Sequence, residues 1–166
     1  MEAAETFFAR RGQAHREWRR HFHQFPETAF QERATAALLA EHLEAMGLKV
    51  DTGIAGTGIV ATLEGRAPGA AVGLRADMDA PPIQEQTHLP YRSRKVGVMH
   101  ACGHDGHMVM LLAAAEYLAA TRDFDGLVRF IFQPAEEAEG GGRRMVEEGF
   151  FERWPVDAVF GLHNWP

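Results

Sequence analysis

Four short clusters gather the side chains of this sequence that could do chemistry. They are Asp77 and Asp79 in LRADMD, Cys102, His104 and His107 in HACGHDGH, Glu136 and Glu137 in FQPAEE, and His163 in GLHNWP. Together they offer a thiolate, several imidazoles and paired carboxylates. That donor set suits zinc, or manganese and cobalt where oxygen and nitrogen dominate. Cys102 and His104 are two apart around a glycine, so both side chains can turn toward one ion. Glu136 and Glu137 are adjacent and cannot easily share one task; on a tight turn one can bind metal while the other faces a water. A hydrolytic metal site needs that division, because the ion acidifies the water and a free carboxylate takes its proton. Pro134 would stiffen the turn that presents them.

Each cluster alone has a plainer reading. An Asp-x-Asp after a strand is commonly a turn or a helix cap, a Glu-Glu pair suits a solvated helix start, and an isolated cysteine is commonly a small buried apolar residue. His15, His21, His23, His42 and His88 lie outside the clusters and read as surface or structural groups. His104 and His107 are three apart, not four as in a His-Glu-x-x-His helix. The conjunction of clusters favours a metal site. A cysteine hydrolase stays open, with Cys102 as nucleophile and His104 or His163 as base, although it leaves Glu136 and Glu137 without a task. Residues 53–58, GIAGTG, lack the dinucleotide spacing, the glycines at 140–142 lack a following Gly-Lys-Ser/Thr, and no Gly-x-Ser-x-Gly elbow occurs.

Strands and helices must bring these clusters together. Phe7, Phe8, Trp18, Phe22 and Phe25 recur at helical spacing before Pro26, which should end that helix. A second helix is expected over about residues 31–46, with Leu38, Leu39, Leu43 and Met46 on one face and Gly47 as its C-terminal cap. Short apolar runs at 48–50, 59–63, 71–74, 127–132 and 156–162 read as strands, with a turn at 65–69 and helices near 107–120 and 143–148. The alternation predicts an α/β layer fold with a largely parallel sheet. Three of the strands run straight into polar clusters, at Asp77, at Glu136 and at His163. In an open parallel sheet the carboxyl ends of the strands share one edge, so residues distant in sequence would meet there.

The chain has 166 residues, 46% of them hydrophobic and 24% charged, a composition that fits one ordinary globular domain. A single cysteine allows no internal disulfide framework and suits a reducing compartment. The formal charge of −6 argues against nucleic acid as a partner. No apolar stretch is long enough for a membrane span, and the first residues lack the apolar segment of a secretory signal, so a soluble cytoplasmic protein is expected.

The motifs HACGHDGH, FQPAEE, LRADMDAPPIQE and GLHNWP, with the opening segment RHFHQFPETAFQE, together resemble the aminoacylase-like amidohydrolases. This group contains hippurate hydrolase, N-acyl-amino-acid amidohydrolases and indole-acetyl-amino-acid hydrolases, within the dinuclear metallopeptidases. The resemblance runs over essentially the whole chain. It implies a three-layer α/β/α metallopeptidase-like catalytic domain, of which residues 1–166 form the N-terminal part without the α+β lid and dimerisation domain. It implies two divalent metal ions, manganese or zinc, with cobalt or nickel as alternatives. Cys102, His104, Glu137 and His163 match the metal ligands, Glu136 the general base, and Asp77 and His107 supporting positions. Arg75 stands where related peptidases carry a histidine ligand, and Pro81 and Glu139 are small departures away from the core chemistry. The implied reaction is hydrolysis of N-acyl amino acids by a homodimer. The chain as given would lack a final histidine ligand and the lid, which predicts an inactive portion with an exposed sheet edge prone to associate. A non-catalytic remnant or split subunit that pairs with another chain is the alternative.

Overall fold

The computed structural model describes residues 2–137 and 140–164; Glu139, Trp165 and Pro166 lie outside them. Alternating apolar side chains decide the layers. On strand β4 (Leu127–Gln133), Phe130 and Phe132 enter one core while Ile131 enters another on the opposite face. Strand β2 (Gly58–Glu64) does the same, with Ile59, Ala61 and Leu63 on the first face and Val60 on the second. Both strands are therefore buried on two sides, as the interior of a three-layer α/β/α sandwich requires.

The first face is covered by α1 (Ala4–Gln24), α2 (Arg33–Ala45) and α3 (His104–Thr121), which contribute Phe22, Leu39, Leu43, Met108 and Leu112 to the larger core. The second is covered by α4 (Gly141–Glu147) and the single turn α5 (Phe150–Arg153), through Met145, Phe150 and Trp154. Gly47 closes α2 as expected: its φ is +80°, and the following Leu48 N–H returns to the Leu43 carbonyl at 3.2 Å.

The sheet has the order β1-β2-β4-β3-β5, with β1 at Lys49–Ile54, β3 at Ala71–Asp77 and β5 at Ala158–Gly161. It is largely parallel in strand direction. β3, β4 and β5 run the same way, β2 is antiparallel to β4, and β1, antiparallel to β2, regains the common direction. The expected turn at 65–69 consequently does not join neighbours, because β4 is inserted between β2 and β3. Among the described residues β5 pairs only with β3, and its Val159 and Phe160, with Leu162 beyond it, are exposed. Among the described residues no helix is long and apolar enough to cross a membrane.

Phe130 is fully buried on the central strand. Its replacement by alanine is expected to cost about 3–5 kcal/mol, read as a lower midpoint of urea unfolding with little change in slope.

Candidate metal centre

The three parallel strands β3, β4 and β5 end at one edge of the sheet, and the first turn of α3 faces the same edge. β3 delivers Asp77 as its last residue, opposite Gln133 at the end of β4. β4 then passes through Pro134 into Glu136 and Glu137, and β5 into His163 and Asn164. The helix begins at His104, three residues earlier than its apolar periodicity suggests, because Gly103 (φ +87°) turns the chain into the helix there. His104 is thus a helix residue and only Cys102 lies in the loop. Gly103 has a second reason to be glycine: a Cβ would lie 2.6 Å from the Asn164 side chain.

The structure brings the expected residues together. Cys102, His104 and Glu137 offer donor atoms that all lie within 4.8 Å of one another. His163 joins them, its Nε2 at 3.6 Å from the Cys102 Sγ. The His104 Nε2 is 3.7 Å from a Glu136 carboxylate oxygen and 3.8 Å from one of Glu137. His163, His104, His107 and Asp77 form a second set of donors within the same 4.8 Å spacing.

The histidines are not equivalent. His104 donates its Nδ1–H to the Asp79 backbone carbonyl at 2.7 Å, and His163 donates its Nδ1–H to the Asn164 carbonyl at 2.6 Å. Both rings are thereby fixed with the Nε2 lone pair turned inward, as in metal-binding histidines generally. The His104 Nε2 is buried and has no hydrogen-bond partner, an orphan that a divalent cation would satisfy. His107 differs, because its Nδ1–H donates to Asp77 Oδ1 at 2.6 Å and its Nε2 accepts the Asn164 N–H at 3.2 Å. With both nitrogens occupied it holds the β5 end in place and offers no free lone pair. Asp77 is committed likewise, its other oxygen accepting from Arg75 at 2.8 Å.

Asp79, a residue that its sequence context alone reads as a turn former, organises the site. Its Oδ1 accepts the Glu136 N–H at 2.8 Å and its Oδ2 the Glu137 N–H at 3.1 Å. Burial alone would raise its pKa, but the His104 hydrogen bond and these two amides outweigh burial and hold it below the ordinary value. At His104 burial opposes the charged ring, yet Asp79 and Asp77 overcompensate and raise its pKa. The Cys102 thiol is pushed up to about 11, by burial first and then by the nearby carboxylates, Glu137 foremost. A proton on that sulfur makes it a poor nucleophile; a cation between it and the carboxylates reverses the balance.

Residues 73–166 match the model of peptidase family M20/M25/M40, more than half of the chain. The chain belongs to this family. It is 50% identical over 148 residues to the hippurate hydrolase of Campylobacter jejuni, and 45% identical over 149 residues to the N-acetyl-L-cysteine deacetylase of Bacillus subtilis. Each alignment covers 89% of this chain but only 38% and 35% of the relative, so the chain spans well under half the length of these relatives. The Bacillus subtilis YXEP protein, described as a dinuclear metal binding peptidase of the M20 family, superposes with a TM-score of 0.87 at 41% identity. That superposition covers 98% of this chain and 44% of the other.

Two outcomes follow for metal binding. An ion held by Cys102 and His104 would compete with protons there, since both groups have raised pKa values. Affinity for zinc should therefore fall as pH falls, by about tenfold per pH unit for each proton released; calorimetric titration in buffers of different ionisation heat counts those protons. Asp79→Asn sets an amide NH2 against a backbone N–H donor and should weaken binding by about 10- to 100-fold, measured by the same titration.

Proposed function

We propose that the protein hydrolyses N-acyl amino acids to a carboxylic acid and a free amino acid, with this chain supplying the general base and most of the metal ligands. The observation that carries the reading is the orphaned, inward-facing His104 Nε2 among Cys102, Glu136 and Glu137. Cys102, His104, Glu137 and His163 would hold two divalent ions, manganese or zinc, with cobalt and nickel as alternatives set by supply. Such ions supply Lewis acidity, polarising an amide carbonyl and acidifying a water.

The chain's own residues do the rest. Glu136 belongs to the same turn as Glu137 but stands outside the Cys102–His104–Glu137 donor set, which frees its carboxylate to take a proton. It accepts one from the attacking water and returns it to the leaving amine nitrogen. His107, Asp77 and Arg75 hold the strand ends in register, so the reacting groups need little reorganisation. The hippurate hydrolase and the deacetylase among the relatives support an acylated amino acid as the substrate class. The activity is assigned to the whole protein, of which residues 1–166 are read as the N-terminal part of the catalytic domain. The whole protein is read as a cytoplasmic homodimer, the compartment matching a metal-binding thiol that must stay reduced. A formal charge of −6 suits neither nucleic acid nor an anionic membrane surface. The Cys102 nucleophile reading fits less well, because burial first, and then the carboxylates around the sulfur, favour its protonated form.

Hydrolysis of N-acetyl and N-benzoyl amino acids by the whole protein should vanish on chelation and return with added manganese or zinc. Glu136→Gln should lower kcat by about 10²- to 10⁴-fold while metal content, measured by atomic emission, stays at the native level. Loss of metal would mean that the two glutamates have exchanged roles; activity that survives chelation but not alkylation of Cys102 would sink the metal reading.

A further inference from the structure

Glu32 is a fully buried carboxylate with no part in the hydrolytic scheme. It sits directly before α2, yet its side chain makes no cap bond to that helix; the Thr35 N–H is accepted instead by Glu27, at 2.8 Å. Glu32 reaches away from its own helix. Its Oε1 accepts the Ala135 N–H at 2.9 Å, and its Oε2 accepts the Thr57 hydroxyl at 2.5 Å.

Ala135 is the residue that makes the turn out of β4. It holds φ +53°, a left-handed conformation that a side chain disfavours and that surrounding contacts must therefore impose. Its carbonyl accepts the Gly141 N–H at 2.9 Å, and its N–H goes to Glu32. The next two amides, of Glu136 and Glu137, go to Asp79. Three consecutive N–H groups thus donate to two buried carboxylates that come from other elements. The segment carrying Glu32 is pinned in turn, since the Arg144 guanidinium lies 5.0 Å from the centre of the Phe30 ring.

We propose that Glu32 is a positioning residue of the metal centre: by holding the Ala135 amide it fixes the left-handed turn that aims Glu136 and Glu137 at Cys102 and His104. This inference rests on the hydrolytic metal reading above. The role depends on reach and acceptor geometry, not on charge. Glutamine is isosteric with Glu32: its oxygen can accept from Ala135 while its amide nitrogen donates to the Thr57 oxygen. Aspartate keeps the charge but withdraws the carboxylate by one methylene and cannot span both partners.

The test titrates the whole protein with Co²⁺ and follows the thiolate-to-cobalt absorption of Cys102, beside thermal unfolding. E32Q should bind Co²⁺ as the wild type does, with the same absorption. E32D should bind about 10- to 100-fold more weakly with an altered band, and in the whole enzyme should lose kcat more than KM. The reverse order, with E32D intact and E32Q impaired, would show that charge acts and would overturn the proposal. A folded E32D with native affinity and spectrum, changed only in melting temperature, would overturn it as well. Should E32D fail to fold, Thr57→Val removes the hydroxyl that orients the Glu32 carboxylate; it should shift affinity in the same direction by a smaller factor, and native affinity there would refute the role. Wild-type protein that develops no thiolate band overturns the metal reading itself, a result distinct from wild-type binding that E32D leaves untouched.

Discussion

Asp79 lies buried two residues past the end of β3, where its carbonyl accepts the His104 Nδ1–H and its carboxylate accepts the amides of Glu136 and Glu137. One residue thereby ties the end of β3 to the first turn of α3 and to the turn after β4. Each acceptor is used, as a buried carboxylate requires; leaving such a group unpaired costs about 1–3 kcal/mol or more. The tie works only if β3 and β4 are parallel and in register, Asp77 opposite Gln133, so that both chains leave the sheet side by side. Strand order, helix start and donor geometry therefore constrain one another through this carboxylate.

Charge explains why the arrangement would suit a cation. Around the His104 Nε2 stand oxygens of Asp77, Glu136 and Glu137, at 3.6, 3.7 and 3.8 Å. Arg75 answers one of these charges by its bond to Asp77. Burial first, and then Glu137 and Glu136, push the Cys102 thiol up to about 11, while Asp79 and Asp77 raise His104 against the effect of burial. Assembling like charges is unfavourable unless a counterion relieves it. A divalent ion would do so at once for the carboxylates and, by competing with protons, for the sulfur and the imidazole. The same surroundings that make Cys102 a poor free nucleophile would suit it to a metal.

Much of this was legible in the residues. The three polar clusters at strand ends predicted a shared edge, and β3, β4 and β5 are the three strands that run parallel beside one another. The reversed β2 was not legible: periodicity reports which faces are buried, and β2 is buried on both whichever way it runs. The start of α3 was missed for a local reason, since His104 and Asp105 carry no apolar signal and the left-handed Gly103 decides the boundary. Asp79 was visible only as half of an Asp-x-Asp. Glu32 had no signal beyond its place in the opening motif, because what matters is an amide 103 residues away.

That distance has a thermodynamic consequence. Glu32 reaches Ala135 from the start of α2, Asp77 reaches His107 across the whole loop before α3, and Asn164 meets His107 from beyond β5. None of these contacts forms within a local element, so the donor set exists only once α1–α3 and the sheet have docked. An ion that binds the docked arrangement and not the open chain stabilises the fold by mass action. The stabilisation is not confined to the ligands. It passes through Asp79 into β3 and through the left-handed turn at Ala135 into the α2 entry, so the segments that hold the turn and the ion that would occupy the site share one cooperative unit.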